Sequence, residues 1–377
     1  MAIAFRLALL SLIMVAPLAG QAAPPAVKTL EIGASAPDFS LPGVDGKTYS
    51  LQDFSRSPVL LLIFTCNHCP TAQAYEDRII QLQADYAPQG VAVVAVSPND
   101  DKAIRLDELG YTDLSDSFEE MKIRAEQKKF AFPYLYDGET QQMSQAYGPV
   151  ATPQCFLFDQ ARKLRYLGRI DDSDVKTVTS HDVRNALDAV LAGKPVPVEK
   201  TRTFGCSTKW SDKRPEVARA DEKAAQEPVT LSSINEQELR QLVRNETEDL
   251  LMINVWATWC GPCVQELPEL VAINRMYRGR NFRLVTLSMD DQELQARALK
   301  VLQKSHASTT NYISALPTQD ALAEALDPQW SGALPYTVLI APGGKVVFRQ
   351  ENQIVPAELK GKIVEILGRT YINRKKK

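Results

Sequence analysis

This chain has little histidine, no strong charge of either sign and no glycine-rich loop beside a strand–helix start. The three histidines, His68, His181 and His306, are scattered, so no metal site is expected from ligand spacing. Lysine and arginine number 43 against 46 acidic residues, for a net charge of −3. That balance argues against a general affinity for nucleic acid. Without a Gly-x-Gly-x-x-Gly turn, bound NADPH or flavin is not implied, and no cofactor is expected. Beyond the N-terminus no apolar run is long enough to span a bilayer. Cysteine is scarce as well, at six residues, but its placement is informative.

The N-terminus reads as a secretory leader. Arg6 is the one early charge, Leu7 to Leu18 is apolar but short for a membrane span, and small residues follow at Gly20, Ala22 and Ala23. Cleavage is expected after Ala22 or Ala23, giving a leader over residues 1–22 and an exported, periplasmic chain without stable membrane insertion. No cysteine near the cut supports a lipid anchor. A length of 377 residues suggests two or three domains, and 45% hydrophobic content is enough for each to bury a core. The closing cluster Arg374-Lys375-Lys376-Lys377 reads as a solvated tail over residues 371–377.

Four cysteines form two pairs of equal spacing, Cys66-Asn67-His68-Cys69 and Cys260-Gly261-Pro262-Cys263. Each pair follows an apolar run, Val59 to Phe64 or Leu250 to Val255, and precedes a helical pattern. A cysteine at a helix start meets unpaired N–H groups and a partial positive charge, so its thiol ionises more easily. The thiolate is the nucleophile of disulfide exchange, and a second thiol two residues on can release the mixed disulfide. Two such centres point to thiol–disulfide chemistry.

The order of elements is written twice. The first half carries a strand, a helix through Ala72, Tyr75, Ile79, Leu82 and Tyr86, a strand at Val91 to Val96, and a helix-favouring stretch at Phe118 to Lys128. A short strand at Tyr134 to Tyr136, a hairpin after Thr152-Pro153 and a helix from about His181 to Leu191 complete it. The second half repeats this, with strands at Leu250 to Val255 and Phe282 to Leu287, a helix at Glu293 to Lys304, a hairpin after Leu334-Pro335 and a helix from Pro356 to Leu367. Phe156-Leu157-Phe158 aligns with Val338-Leu339-Ile340 without a gap, and the acidic insert Asn99 to Ser117 lengthens the first copy. Alternating strands and helices predict an α/β fold with central mixed sheets flanked by helices. The expected domains are 28–198 and 229–370. Between them, Lys213 to Glu227 reads as exposed linker, whereas Thr203 to Trp210, with two aromatics and Cys206, is expected to pack back on the first domain.

Both halves resemble thioredoxin-fold domains. The second is similar to the TlpA/ResA-type disulfide reductases through Asn254-Val255-Trp256-Ala257-Thr258-Trp259-Cys260-Gly261-Pro262-Cys263 and Glu266-Leu267-Pro268. The first resembles the peroxiredoxin-like redoxins through Gly33 to Pro42, Thr65 to Pro70 and Ala151 to Asp159. The resemblance implies a cis proline facing each dithiol, at Pro153 and Pro335, with Thr152, Leu334 and Trp259 beside the substrate. It also implies that Glu266 moves the proton of Cys263, because Asn254 stands where many thioredoxins keep a buried acid; Ala72 and Leu60 hold the matching positions of the first half. A peroxidase would need a hydroxyl three residues before Cys66, where Ile63 stands, and an arginine at the position that aligns with Pro153.

The expected roles follow. Cys260 and Cys66 are the attacking thiols, and Cys263 and Cys69 resolve them. Trp256 and Trp259 shape wall and rim. His68, protonated, stabilises the Cys66 thiolate and makes the first centre the more oxidising. Cys155 and Cys206 are left as a structural disulfide, a relay pair, free buried thiols or partners of another chain, with a relay between Cys206 and the first centre as the sharper idea. Copper delivery through Cys66, Cys69 and a distant histidine is disfavoured because that family places three residues between its cysteines. The expected activity is disulfide exchange with exported protein substrates, the second centre reducing, fed by a membrane or periplasmic thiol donor. Cytochrome c maturation is what the reductase resemblance implies. A thiol peroxidase, in which the second domain regenerates the first, and a redox-regulated binding protein are the alternatives.

Overall fold

The computed structural model describes residues 27–371; the expected leader over residues 1–22 and the cluster Arg374–Lys377 lie outside them. The first domain opens with β1 (Ser40–Pro42) and β2 (Thr48–Ser50). It runs on through β3 (Val59–Phe64), α1 (Pro70–Tyr86), β4 (Val91–Ser97), α2 (Phe118–Lys128), β5 (Tyr134–Tyr136), α3 (Gln142–Tyr147), β6 (Ala151–Thr152), β7 (Gln154–Phe158), β8 (Leu164–Gly168) and α4 (Asp182–Leu191). The connecting region holds β9 (Cys206–Ser207) and α5 (Arg214–Ala225). The second domain comprises β10 (Ser232–Ile234), α6 (Glu236–Arg244), β11 (Leu250–Trp256), α7 (Gly261–Tyr277), β12 (Phe282–Ser288), α8 (Gln295–Lys304), β13 (Thr310–Ser314), α9 (Gln319–Leu326), β14 (Tyr336–Ile340), β15 (Val346–Glu351) and α10 (Pro356–Leu367).

The sheet of the first domain has the order β5-β4-β3-β7-β8, and that of the second β10-β13-β12-β11-β14-β15. In both, the central strand pairs in parallel with the next strand and antiparallel with the hairpin. A central strand covered on both faces must be apolar at every position. β3 meets this with Val59, Leu61 and Ile63 in one core cluster and Leu60, Leu62 and Phe64 in the other. β11 divides likewise, Leu250 and Met252 against Leu251, Ile253 and Val255, but it breaks the rule at Asn254, a buried polar residue that is hydrogen-bonded. The hairpins carry the same irregularity, a register shift between Leu157 and Phe158 in one and between Leu339 and Ile340 in the other. These are aligned positions, so the duplication extends to a local distortion of the backbone.

Residues 213–227 depart from the linker expectation. Arg214 to Ala225 forms a helix, of which only Ala224 is buried. It binds the second domain through Arg275–Asp221, and just beyond it Arg278 grips Glu227. The acidic insert is the other bridge. Ile104 and Leu109 join the core cluster of the second domain. Tyr277 donates a hydrogen bond to the Thr112 carbonyl at 2.8 Å, Arg280 donates to the Gly110 carbonyl at 3.0 Å, and Arg369 pairs with Asp113. The insert thus runs from the first domain onto the C-terminal end of α7. Among the described residues no helix is long and apolar enough to cross a membrane.

Candidate active sites

The second centre lies at the start of α7. Cys260 is the N-cap of α7, and its sulfur accepts the Cys263 N–H at 3.3 Å. The two sulfurs are joined in a disulfide. Cys260 lies at the surface margin, 7% exposed, beside Trp259, which is 64% exposed, while Cys263 and Trp256 are buried. The Leu334–Pro335 bond is cis. One helical turn beyond Cys263, Glu266 is buried and fixed at both oxygens: Asn254 Nδ2 donates to Oε1 at 2.9 Å and the Ile354 N–H to Oε2 at 3.0 Å. Asn254 also donates to Thr337 Oγ1 at 3.0 Å. Burial pushes the Glu266 carboxyl upward, against the pull of those two bonds. A buried acid of raised pKa holds a proton more readily than an exposed one and can return it to a neighbouring thiol. Pro268 falls inside α7.

The first centre departs from its expectation. Both thiols are free, and both are buried, Cys66 at 3% and Cys69 at 0% exposure. The expectation of an open, ionisable Cys66 is therefore corrected. The physical reason is the point where the helix begins. α1 starts at Pro70, so its N-cap is Cys69, whose sulfur accepts the Ala72 N–H at 3.5 Å. Burial works against ionising Cys69, but hydrogen bonds from the thiols of Cys206 and Cys66, the positive charge of His68 and the Ala72 N–H outweigh it, and its pKa is well lowered. Burial pushes the Cys66 thiol up, as does its hydrogen bond to Cys69. The stabilised thiolate of this centre is Cys69.

His68 is placed differently as well. Its Nδ1 meets Asp116 Oδ2 at 2.6 Å in a fully buried pair. Asp116 also accepts the N–H groups of Asn67 and His68 at 2.8 and 3.0 Å and Asn99 Nδ2 at 2.7 Å. Burial lowers the His68 pKa, yet the Asp116 charge wins and the net shift is upward; the Asp116 carboxyl is held below its ordinary range, its burial offset by His68 and its other donors. The imidazolium thus serves Cys69 rather than Cys66. Cys66, His68 and Asp116 bring donor atoms within 4.8 Å of one another, a potential metal-holding group among the described residues, but His68 Nδ1 is already committed to Asp116. Asp116 and Asn99 were not foreseen. They lie in the insert, where nothing in the sequence separates them from other solvated polar residues.

Thr152 and Pro153 are covered rather than open. The Thr152–Pro153 bond is cis, but β6 pairs antiparallel with β9, Ala151 opposite Ser207 and Thr152 opposite Cys206. Thr152 Oγ1 lies 3.1 Å from the Cys66 sulfur, and its carbonyl oxygen lies 3.3 Å from the Cys69 sulfur. Cys206 sits against Cys66, Cys69 and Ala72, and its N–H donates to the Cys69 sulfur at 3.3 Å. Cys155 is in a different place, buried in the core beside Ile63 and Leu157. The Cys155–Cys206 disulfide is therefore not formed: both are free thiols, and Cys206 lies with the first centre. The aromatic segment packs back as expected, with Phe204 tilted against Tyr75 at 6.3 Å.

Family models match both halves of the chain. The AhpC/TSA family matches residues 32–167 and the Redoxin family residues 213–362. Over 107 residues the chain is 32% identical to the chloroplastic thioredoxin-like protein CITRX of Arabidopsis thaliana, covering 28% of this chain and 56% of that protein. Over 108 residues it is 30% identical to the thiol-disulfide oxidoreductase ResA of Bacillus subtilis, again 28% of this chain and 56% of the relative. The matches thus span little more than half the length of these relatives. A hypothetical protein of Sinorhizobium meliloti, known as a crystal structure, is 36% identical, with a TM-score of 0.44, covering 49% of this chain and 97% of that one.

Proposed function

Since this chain is a tandem thioredoxin-fold protein, a redoxin-type domain followed by a ResA-like one, we propose that it is an exported thiol–disulfide oxidoreductase acting on protein substrates. The observation that carries this reading is Cys260: a sulfur at the surface margin and at a helix N-cap, bonded to its buried partner and flanked by an exposed tryptophan. In the reduced state the helix N-terminus favours the Cys260 thiolate. That thiolate attacks a substrate disulfide, and the mixed disulfide is resolved by Cys263, whose proton Glu266 takes up. The substrate leaves as a dithiol, and Cys260–Cys263 returns to the disulfide. Each cycle then needs two electrons from another thiol protein, for which a membrane or periplasmic donor is the proposed source.

The assay is insulin reduction by dithiothreitol-primed protein. Turnover is expected to be lost in Cys260→Ser, and Cys263→Ser is expected to hold substrates covalently at Cys260. Full turnover by Cys260→Ser refutes the reading. The peroxidase alternative requires an ionised, accessible Cys66; here that thiol is buried, its pKa is pushed up, and Ile63 is packed in the core.

A further inference from the structure

The strap Gly205-Cys206-Ser207 lies where an extended chain would pair with the residue before Pro153. An open strand edge binds peptides through main-chain hydrogen bonds, and here the protein supplies the strand itself, with Thr152 opposite Cys206. Gly205 makes the approach possible. A Cβ on it would fall 2.0 Å from the Thr152 carbonyl oxygen, and its φ of +136° is one that other residues rarely adopt. The strap continues into Thr208, whose hydroxyl donates to the Pro149 carbonyl, and Lys209, whose N–H donates to Asn99 Oδ1 at 2.8 Å. Asn99 is in turn bound to Asp116, the residue that holds His68. Strap, insert and dithiol form one hydrogen-bonded unit.

We propose that Cys206 is a third redox cysteine and that the strap is a built-in pseudo-substrate, with Cys69 as the sulfur shared between two alternative disulfides. This rests on the reading of the chain as a thiol–disulfide oxidoreductase. When the first centre has passed two electrons to a substrate disulfide, it holds a Cys66–Cys69 bond. Cys206 then attacks the Cys69 sulfur as a thiolate. The Cys69–Cys206 bond forms, the Cys66–Cys69 bond breaks, and its electron pair leaves on Cys66, which takes up the proton that Cys206 gave. No outside oxidant or reductant enters this exchange. In the reduced state the Cys69 charge keeps the proton on Cys206; once Cys69 is in a disulfide that charge is gone, and Cys206 is released to react. The product ties the strap across the β6 edge and shuts the first centre until a thiol reopens it.

The test uses the full chain, equilibrated in glutathione buffers of graded potential, acid-quenched, alkylated and digested with trypsin. Cys66 and Cys69 fall on one peptide, residues 57–78, and Cys206 on another, residues 203–209. The expected result is a reversible cross-link between these peptides in the wild type, retained in Cys66→Ser and lost in Cys69→Ser. If Cys206 stays alkylatable at every potential that oxidises residues 57–78, or if the cross-link persists in Cys69→Ser and vanishes in Cys66→Ser, the proposal is overturned. The wild-type digest needs no variant to fold. Insulin reduction through Cys260 is a separate readout, so failure there with the cross-link present removes the reductase reading and not the third cysteine.

Discussion

Replacing Asp116 by asparagine tests whether the first centre is organised by a buried ion pair. One asparagine oxygen can still accept the two main-chain N–H groups that Asp116 Oδ1 receives from Asn67 and His68. The amide NH2, however, would face His68 Nδ1 and Asn99 Nδ2, donor against donor. Two hydrogen bonds to a charged group are lost, at about 1.5–3 kcal/mol each. Removing one partner of a buried pair costs about 3–5 kcal/mol by a separate line of reasoning. The two ranges overlap near 4 kcal/mol, which for a domain of this size lowers Tm by about 8–16 °C.

The pH dependence is the sharper signature. His68 is raised above its ordinary 6.5, so its share of the stability is whole below pH 6.5 and is lost as pH climbs through the folded-state pKa. Asp116 is lowered from 3.8, so its share is whole above pH 3.8 and is lost as pH falls through its folded-state value. The gap between wild type and Asp116→Asn is therefore widest between these two pH values and narrows on either side. Thermal unfolding followed by calorimetry across that range reads it directly. A gap below about 1 kcal/mol near pH 5, the size of an average substitution, or one that widens toward alkaline pH, would refute the ion pair as the organising contact.

Three further outcomes are expected. Gly205→Ala places about 1–3 kcal/mol of backbone strain under the strap, before its contact with the Thr152 carbonyl is counted. At about 1.4 kcal/mol per decade, alkylation of Cys69 by N-ethylmaleimide should quicken by about tenfold or more, and an unchanged rate would mean that the strap does not guard the dithiol. Glu266→Gln should slow insulin reduction by about a hundredfold and move the pH profile, since it removes the nearest buried proton carrier; a variant that keeps both rate and profile shows that Glu266 only packs. Equilibration with glutathione should find the first centre more oxidising than the second, because stabilising the Cys69 thiolate favours the dithiol, and a more reducing first centre contradicts the assigned roles of His68 and the N-cap.

Much of the scaffold was legible, because its signals are local. The apolar run at Val59 to Phe64 reads as a buried-strand candidate and is one, and α2 spans Phe118–Lys128 as read, capped by Ser117. α6, with its Asn235–Glu238 capping box, and α9, capped by Thr318, carried local signals and were not read; other missed elements have weak ones. α3 covers only Gln142–Tyr147, and β6 and β9 have two residues each. α5 lacks an apolar stripe, so its charged sequence looked like solvent-exposed chain. Asp116 was illegible for a different reason. Its partner His68 lies 48 residues away in sequence, and only the path of the insert brings them together.

The difference between the two centres has a cause that the sequence does display. Both motifs share one spacing, which invites one assignment of roles. Proline breaks the equivalence. Pro70 follows the second cysteine and suits the first helical position, and the residue before a proline is kept extended. Cys69, at φ −73° and ψ 121°, is accordingly the cap of α1. In the other copy Pro262 stands between the cysteines, and the residue before it is Gly261, whose missing Cβ relaxes that restriction. The helix can then begin at Gly261, and the cap falls to Cys260. Moving a proline by two places within the motif thus transfers the helix N-terminus from the first sulfur to the second. The second centre keeps its capped sulfur at the margin beside Trp259, while the first turns its capped sulfur inward toward Thr152 and Cys206. One scaffold thereby offers an outward-facing dithiol and an enclosed one, and the reactive sulfur of each is set by where its helix starts.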